Sequence, residues 1–375
     1  MQGWPNMLLK NAQVFFKGTF QRQNLLIKNG KIQFVPNDFV YDNAMDLTGH
    51  YIIPGLVDIH THGCLGLDFA DANTLETEKM CRYYAQHGVT SIIKTIMTAP
   101  IENMLRALSV PFPRTGAHIQ GIRLEGPFLN PAMRRAHKAE LLCAPNASLT
   151  QRLLDAGQGR LRIIDIAPEL PGALSLIKQF AGSVRFSIAH TTCSYNQAME
   201  ALDAGAGSFT HLFNAMEPVT AREPGCAGAF MSGSAWGECI GDLFHVHPAN
   251  LQMFFRQNPK RLALISDSVA AGLMDGQYPL NGRIITVKGG KAFCPDGAIA
   301  GSSVNLFQCL KNAVSIGIPL EQAIQSCTVI PARAAGIEHL CGSLLPGRSA
   351  DLVIMDKSLE IKAVYISGKA VALEN

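Results

Sequence analysis

The segment SVRFSIAHTTCSYNQAMEALDAGAGSFTH, residues 183–211, decides the fold. VRFSIAH reads as a short buried strand, SYNQAMEALDAG as a helix and GSFTH as the next strand. A strand, a helix and a strand in that order form a βαβ unit, whose two strands lie parallel. His190 closes the first strand and His211 the second, so the two histidines fall on adjacent strands at the same end of a sheet.

The same alternation extends in both directions. GVTSIIKTIMT is followed by PIENMLRALSV, ECIGDLFHV by PANLQMFFRQ, and RLALISDS, further on, by SVNLFQCLKNAVSIG. About eight such units predict an α/β fold, a (β/α)8 barrel over residues 53–339. An open doubly wound sheet is the alternative, and the lack of a GxGxxG after any strand counts against it. Both ends of the chain are β-rich instead: MLLKNAQVFF, NLLIKNGKIQFV and AMDLTGHYIIPG at one end, GSLLPGRSADLVIMD and IKAVYISGKAV at the other. The economical expectation is one small β-sandwich built from residues 1–52 and 340–375. KNG, between two apolar stretches, has the chemistry of a hairpin turn.

PGLVDIHTHG, residues 54–63, begins the barrel. In a regular strand Asp58, His60 and His62 share one face. The Cα atoms of the two histidines then stand roughly 6.6 Å apart, close enough for both imidazoles to reach one metal ion. Glu125 closes the strand IQGIRLEGPF, and Asp267 closes LALISDS. Active sites of parallel barrels lie at the C-terminal ends of the strands. His60, His62, Glu125, His190, His211 and Asp267 would therefore meet in one place. Singly, each has a plainer reading: HxH as a polar strand end, Asp267 as a helix cap. All six falling at strand ends by accident is a poor explanation.

Bulk composition bounds the reading. The chain has 375 residues, 47% apolar and 16% charged, which supplies a large core. A net charge of +3 and the lack of a long basic tract argue against nucleic acid. No run approaches the roughly 18 apolar residues of a membrane span. The first residues lack the marks of a signal peptide. The ten cysteines include no CxxC and read as reduced, buried thiols of a cytoplasmic protein.

PGLVDIHTHG, LEGPFLNP with AHK, IAHTT, THLFNAMEP with AREPGCAGA, HVHPAN, ISDS and AIAGSS follow one another in the chain. Together they resemble the N-acetylglucosamine-6-phosphate deacetylases of the amidohydrolase superfamily. EGPFLNP, HLFNAM and REPG are the specific elements; HxH alone indicates only the superfamily. The resemblance implies a (β/α)8 barrel with a β-sandwich from both termini. It implies hydrolysis of N-acetyl-D-glucosamine 6-phosphate to D-glucosamine 6-phosphate and acetate. Glu125, His190 and His211 match the principal metal ligands. His60 and His62 match a pair found in members that hold a second ion, with Glu125 in the bridging place that a modified lysine occupies elsewhere in the superfamily. One or two divalent ions per subunit follow, Zn²⁺ or Fe²⁺ by donor type.

The resemblance makes Asp267 the general acid/base, which takes a proton from the attacking water and returns it to the leaving amine. His137, preceded by Ala136, matches a residue beside the acetyl group. Asn214, Ala215 and His245 match positions that meet the sugar phosphate. Arg222 does so from the neighbouring subunit of an implied homodimer. Ile299, Ala300 and Gly301 match the segment over the sugar. Arg134 and Arg135 read either as steering charges or as a solvated loop. There are departures: Ser268 stands where alanine is commoner, Ala136 where glycine is usual, and Lys94 interrupts an apolar strand. Alternatives of activity are the galactosamine epimer, an enzyme of the D-aminoacylase or dihydroorotase type, and an inactive scaffold of the same fold.

Overall fold

A computed structural model describes residues 6–280 and 282–373. Residues 1–5 and 374–375, the outermost parts of the expected β-sandwich, lie outside the described residues. Eight parallel strands carry the middle of the chain: β1 Leu56–Thr61, β2 Val89–Met97, β3 His118–Phe128, β4 Leu161–Ile166, β5 Arg185–Ile188, β6 Ser208–Phe209, β7 Trp236–Ile240 and β8 Leu262–Ile265. They are hydrogen-bonded in chain order from β1 to β8. The ring closes just beyond β8. The N–H of Asp267 donates to the carbonyl of His60 at 2.9 Å, and the N–H of His62 donates to that of Ser268 at 2.9 Å. Closure thus fixes the backbone of two candidate site residues to each other.

A helix follows each strand, from Thr74–Gln86 after β1 to Leu306–Ser315 after β8. The sequence sets their starts. Asn73 with Glu76, and Ser194 with Gln197, form reciprocal caps on exposed N–H groups. Pro248 occupies a first-turn position, where its missing N–H costs nothing. The expected (β/α)8 barrel is therefore the observed fold. One addition was not expected. Gly276–Leu280, Arg283–Lys288 and Lys291–Phe293 form an antiparallel three-stranded sheet between β8 and its helix. Its alternating exposed and buried residues have a period of two.

The strands at the two chain ends interleave. One sheet orders Lys31–Val35, Asn24–Lys28, Met7–Lys10 and Ala44–Asp46. The other pairs Leu352–Met355 with Tyr51–Pro54, so a late strand lies against the one that runs into β1. Leu9, Leu25, Ile27, Ile52, Leu352 and Ile354 bury a common core. In the KNG turn Asn29 and Gly30 have φ of 51° and 73°, the pair of left-handed residues that a two-residue hairpin needs.

One local expectation fails. The pairing of β1 with β2 slips between Ile92 and Lys94: Asp58 lies opposite Ile92 but Thr61 opposite Lys94. The extra residue in β1 breaks the strict alternation. Asp58 therefore does not share the face of His60 and His62. It accepts a 2.5 Å hydrogen bond from the Ser266 hydroxyl.

Candidate metal centre and substrate cavity

Glu125 is the hub of the site. Its Oε1 lies 3.1 Å from Nε2 of His190 and 3.1 Å from Nε2 of His211. Those two nitrogens are 3.2 Å apart. Its Oε2 lies 3.3 Å from Nε2 of His62 and 3.2 Å from Nε2 of His137. Asp267 Oδ1 stands 3.5 Å from Nε2 of His60 and 3.3 Å from that of His62. All these side chains are buried. The six strand-end residues meet, as expected, and His137 joins them.

These spacings fit a divalent cation. Ligand atoms arranged tetrahedrally at about 2.0–2.1 Å from an ion stand about 3.3–3.4 Å from one another. Glu125, His190 and His211 form one triangle near that size. His60, His62 and Glu125 form a second group whose ligand atoms lie within 4.8 Å of one another. Nε2 of His60 is buried and has no hydrogen-bond partner among the described residues. Hard and borderline donors of this kind suit a first-row divalent metal.

The electrostatics call for positive charge at the same place. Burial opposes charge on Glu125, yet His137, His190 and His211 hold its carboxyl well below the usual carboxylate range. Burial likewise opposes charge on Asp267, but His60 and His62 press it down to about 2. Burial disfavours a charged His62, and the carboxylates of Asp267 and Glu125 overcome this and push it up to about 10. His137 goes the other way: burial outweighs Glu125 and brings it down to about 4, which keeps the ring neutral.

The backbone is constrained here. His190, His211, Phe213, Ala215 and Asp267 have φ of 45°, 29°, 73°, 51° and 48°. Non-glycine residues adopt such values at a cost of about 1–3 kcal/mol each and collect at functional sites.

A cavity of about 260 Å³ opens over the cluster. Ala136, His137, Asn214, Ala215 and His245 line it, together with Ile299, Ala300 and Gly301. His245 is held by Asp242, whose carboxylate lies 2.6 Å from Nδ1. Arg222 is exposed and does not line this cavity. Arg135, at φ of 47°, does. The Ser268 hydroxyl is taken by another partner: it donates to the carbonyl of Gly63 at 2.8 Å. Sequence reasoning missed Met97 and Phe213 in the lining, and Arg123, Asp165 and Glu238 underneath. The signal for Arg123 was available: it lies two residues before Glu125 on the same strand, so the two share a face.

Comparison with known proteins agrees with this geometry. The model of the "Amidohydrolase family" matches residues 51–371. The chain belongs to the amidohydrolase family. An N-acetylgalactosamine-6-phosphate deacetylase of Escherichia coli O157:H7 is 33% identical over 85% of this chain and 87% of its own length. An N-acetylglucosamine-6-phosphate deacetylase of Vibrio furnissii is 32% identical over 96% of this chain and 94% of its own. Among solved structures, a mutant N-acetyl-D-glucosamine-6-phosphate deacetylase of Mycobacterium smegmatis, in complex with N-acetyl-D-glucosamine 6-phosphate, superposes with a TM-score of 0.90. It is 34% identical and covers 98% of this chain and 99% of its own. The resemblance drawn from the motifs therefore holds across the chain. Among the described residues no helix is long and apolar enough to cross a membrane.

Proposed function

We propose that this amidohydrolase removes the acetyl group of N-acetyl-D-glucosamine 6-phosphate, giving D-glucosamine 6-phosphate and acetate. The observation that carries the reading is the histidine–carboxylate cluster at the floor of a cavity of about 260 Å³, in a chain alike from end to end to enzymes of this name. Glu125, His190 and His211 would hold the principal divalent ion, and His60 and His62 a second, with Glu125 between them. Zn²⁺ and Fe²⁺ both suit these donors. Such an ion polarises an amide carbonyl and acidifies water near neutral pH.

The protein's own groups do the rest. Asp267, charged and at the edge of the cluster, accepts the proton of the attacking water. The new C–O bond forms at the acetamide carbon, the C–N bond breaks, and Asp267 returns the proton to the amine. Neutral His137 donates an N–H toward the carbonyl oxygen. Asn214, Ala215 and His245 receive the sugar phosphate, and Ile299 to Gly301 cover the ring. Arg222 is exposed and does not line its own chain's cavity, which fits a homodimer in which it reaches the neighbouring one. A cytoplasmic enzyme of amino-sugar breakdown fits this chemistry.

The galactosamine epimer is the second reading, favoured by the Escherichia coli relative. Nothing favours the inactive scaffold, since every candidate ligand and the candidate acid are present in the chain. The experiment is metal analysis together with turnover of both N-acetylhexosamine 6-phosphates. Bound metal with the higher kcat/KM on the gluco compound is expected. A preference for the galacto compound moves the chain to the second reading, and a metal-loaded protein inert on both defeats the proposal.

A further inference from the structure

Beneath the ion-binding cluster lies a second set of buried charges that the reaction does not use. Arg123 is fully buried, and each of its five N–H groups has an acceptor. Nε donates to Asp165 Oδ2 at 3.0 Å and Nη2 to Asp165 Oδ1 at 2.7 Å. Nη2 also donates to the Thr210 hydroxyl at 2.7 Å. Nη1 donates to Glu238 Oε1 at 2.6 Å and to the carbonyl of Ile59 at 3.4 Å. One guanidinium thus ties β3 to β1, β4, β7 and the end of β6.

Glu238 is the member that faces upward. With Oε1 taken by Arg123, its Oε2 lies 3.3 Å from Nδ1 of His60. The Arg123–Glu238 pair is a buried ion pair, its two side chains closed off from solvent together. A carboxylate can only accept at that position, so the His60 nitrogen facing it must carry the proton. The other nitrogen, Nε2, is then a bare lone pair aimed toward Glu125 and Asp267. A histidine that ligates a metal typically gives its second N–H to a carboxylate, which fixes tautomer and ring orientation.

We propose that Glu238 is a positioning residue: anchored by Arg123, it takes the Nδ1 proton of His60 in a hydrogen bond and presents Nε2 of that ring to the ion. The inference rests on reading His60 as an ion ligand, but not on which acetylated sugar is hydrolysed. Glu238 does not line the cavity; its two oxygens face Arg123 and His60. Its place on β7, two strands from β1, lets it act across the barrel interior, and the fixed fork of Arg123 keeps it from turning away.

The test uses zinc-loaded protein labelled with ¹⁵N at histidine. Wild type should show a slowly exchanging Nδ1–H resonance that disappears in His60→Asn, with zinc on Nε2 of that ring. In Glu238→Gln this resonance should move upfield and exchange faster. Zinc retention on the His60 side, measured by competition with a chelator, should fall by about 10–100-fold. Retention on the His190 and His211 side should not change. An unaltered resonance and unaltered retention in Glu238→Gln overturn the proposal. If that variant does not fold, wild type still decides: zinc on Nδ1 of His60, no proton on Nδ1, or no zinc on His60 at all overturns it. None of these readouts involves turnover, so loss of the deacetylase reading leaves the result standing.

Discussion

Two polar layers cross the inside of the barrel, one on top of the other, and they are finished differently. In the lower layer Arg123, Asp165 and Glu238 satisfy one another, with every donor of the arginine in use. In the upper layer the buried Nε2 of His60 and the buried Nδ1 atoms of His62 and His211 have no hydrogen-bond partner among the described residues. There Glu125 and Asp267 keep their charge only by drawing on surrounding histidines. Buried polar groups in folded proteins are nearly always paired. The complete layer therefore reads as structure. The incomplete one reads as a place kept for something that arrives from outside, a cation and then a substrate.

The sharpest way to break this contrast is at Asp267. Asp267→Asn keeps shape and some ability to ligate but cannot carry a proton. Metal content and KM should stay near wild type while kcat falls by about 10²–10⁴. Steady-state kinetics beside metal analysis checks it, and turnover within a few-fold of wild type would move the proton to His137. The matching change below is Arg123→Met. It strands two buried carboxylates and should cost about 3–5 kcal/mol of stability in urea unfolding. A loss below about 1 kcal/mol would mean that the lower layer is not a closed network.

A smaller effect separates recognition from chemistry. Arg222 lies outside the cavity of its own chain, so Arg222→Ala should leave metal and fold intact. On the 6-phosphate, kcat/KM should drop by about one to two decades, the worth of a charge-assisted hydrogen bond. The unphosphorylated sugar should be affected far less, and equal losses on both would make Arg222 structural. Size-exclusion measurements on the same samples report whether the chain is dimeric.

The upper layer was legible in the sequence, and the lower was not, for a physical reason. Histidines and acids at the ends of apolar strands stand out because the barrel topology dictates where strand ends meet. Glu238 sits inside WGECI, and its partners Arg123 and His60 lie on strands far away in the chain. Only closure of the ring brings them together. Asp58 failed for a local reason: a single extra residue in β1 changes the face of everything before it. The sheet at 276–293 is short and partly exposed, with too few apolar residues to announce itself beside the barrel strands.

Lys94 extends the comparison to a third place, the outer face of β2. It too is a buried cation, but among the described residues no carboxylate pairs with it. Its Nζ donates to the carbonyl of Ala107 at 3.0 Å and lies 5.7 Å from the centre of the Phe112 ring. Ala107 belongs to the last turn of Ile101–Ser109, where free carbonyls attract positive charge. Arg160 serves the same turn through Leu108 and Val110. Burial, with the charge of Arg160 added, brings Lys94 down to about 8. An unfolded lysine titrates near 10.4. Between these values the unfolded chain binds more protons than the folded one, so this residue makes stability rise with pH across that window. Below about 8 both states are protonated, and the full penalty of a buried charge applies. Lys94→Met removes the term. From pH 7.5 to 9.5 the wild type should therefore gain about 1–2 kcal/mol on the variant in urea unfolding. Thiols and tyrosines that titrate in the same range cancel in that difference. A gap that stays constant would mean that Ala107 and Phe112 alone keep Lys94 charged throughout. A buried cation on this face would then be as settled without a carboxylate as Arg123 is with two.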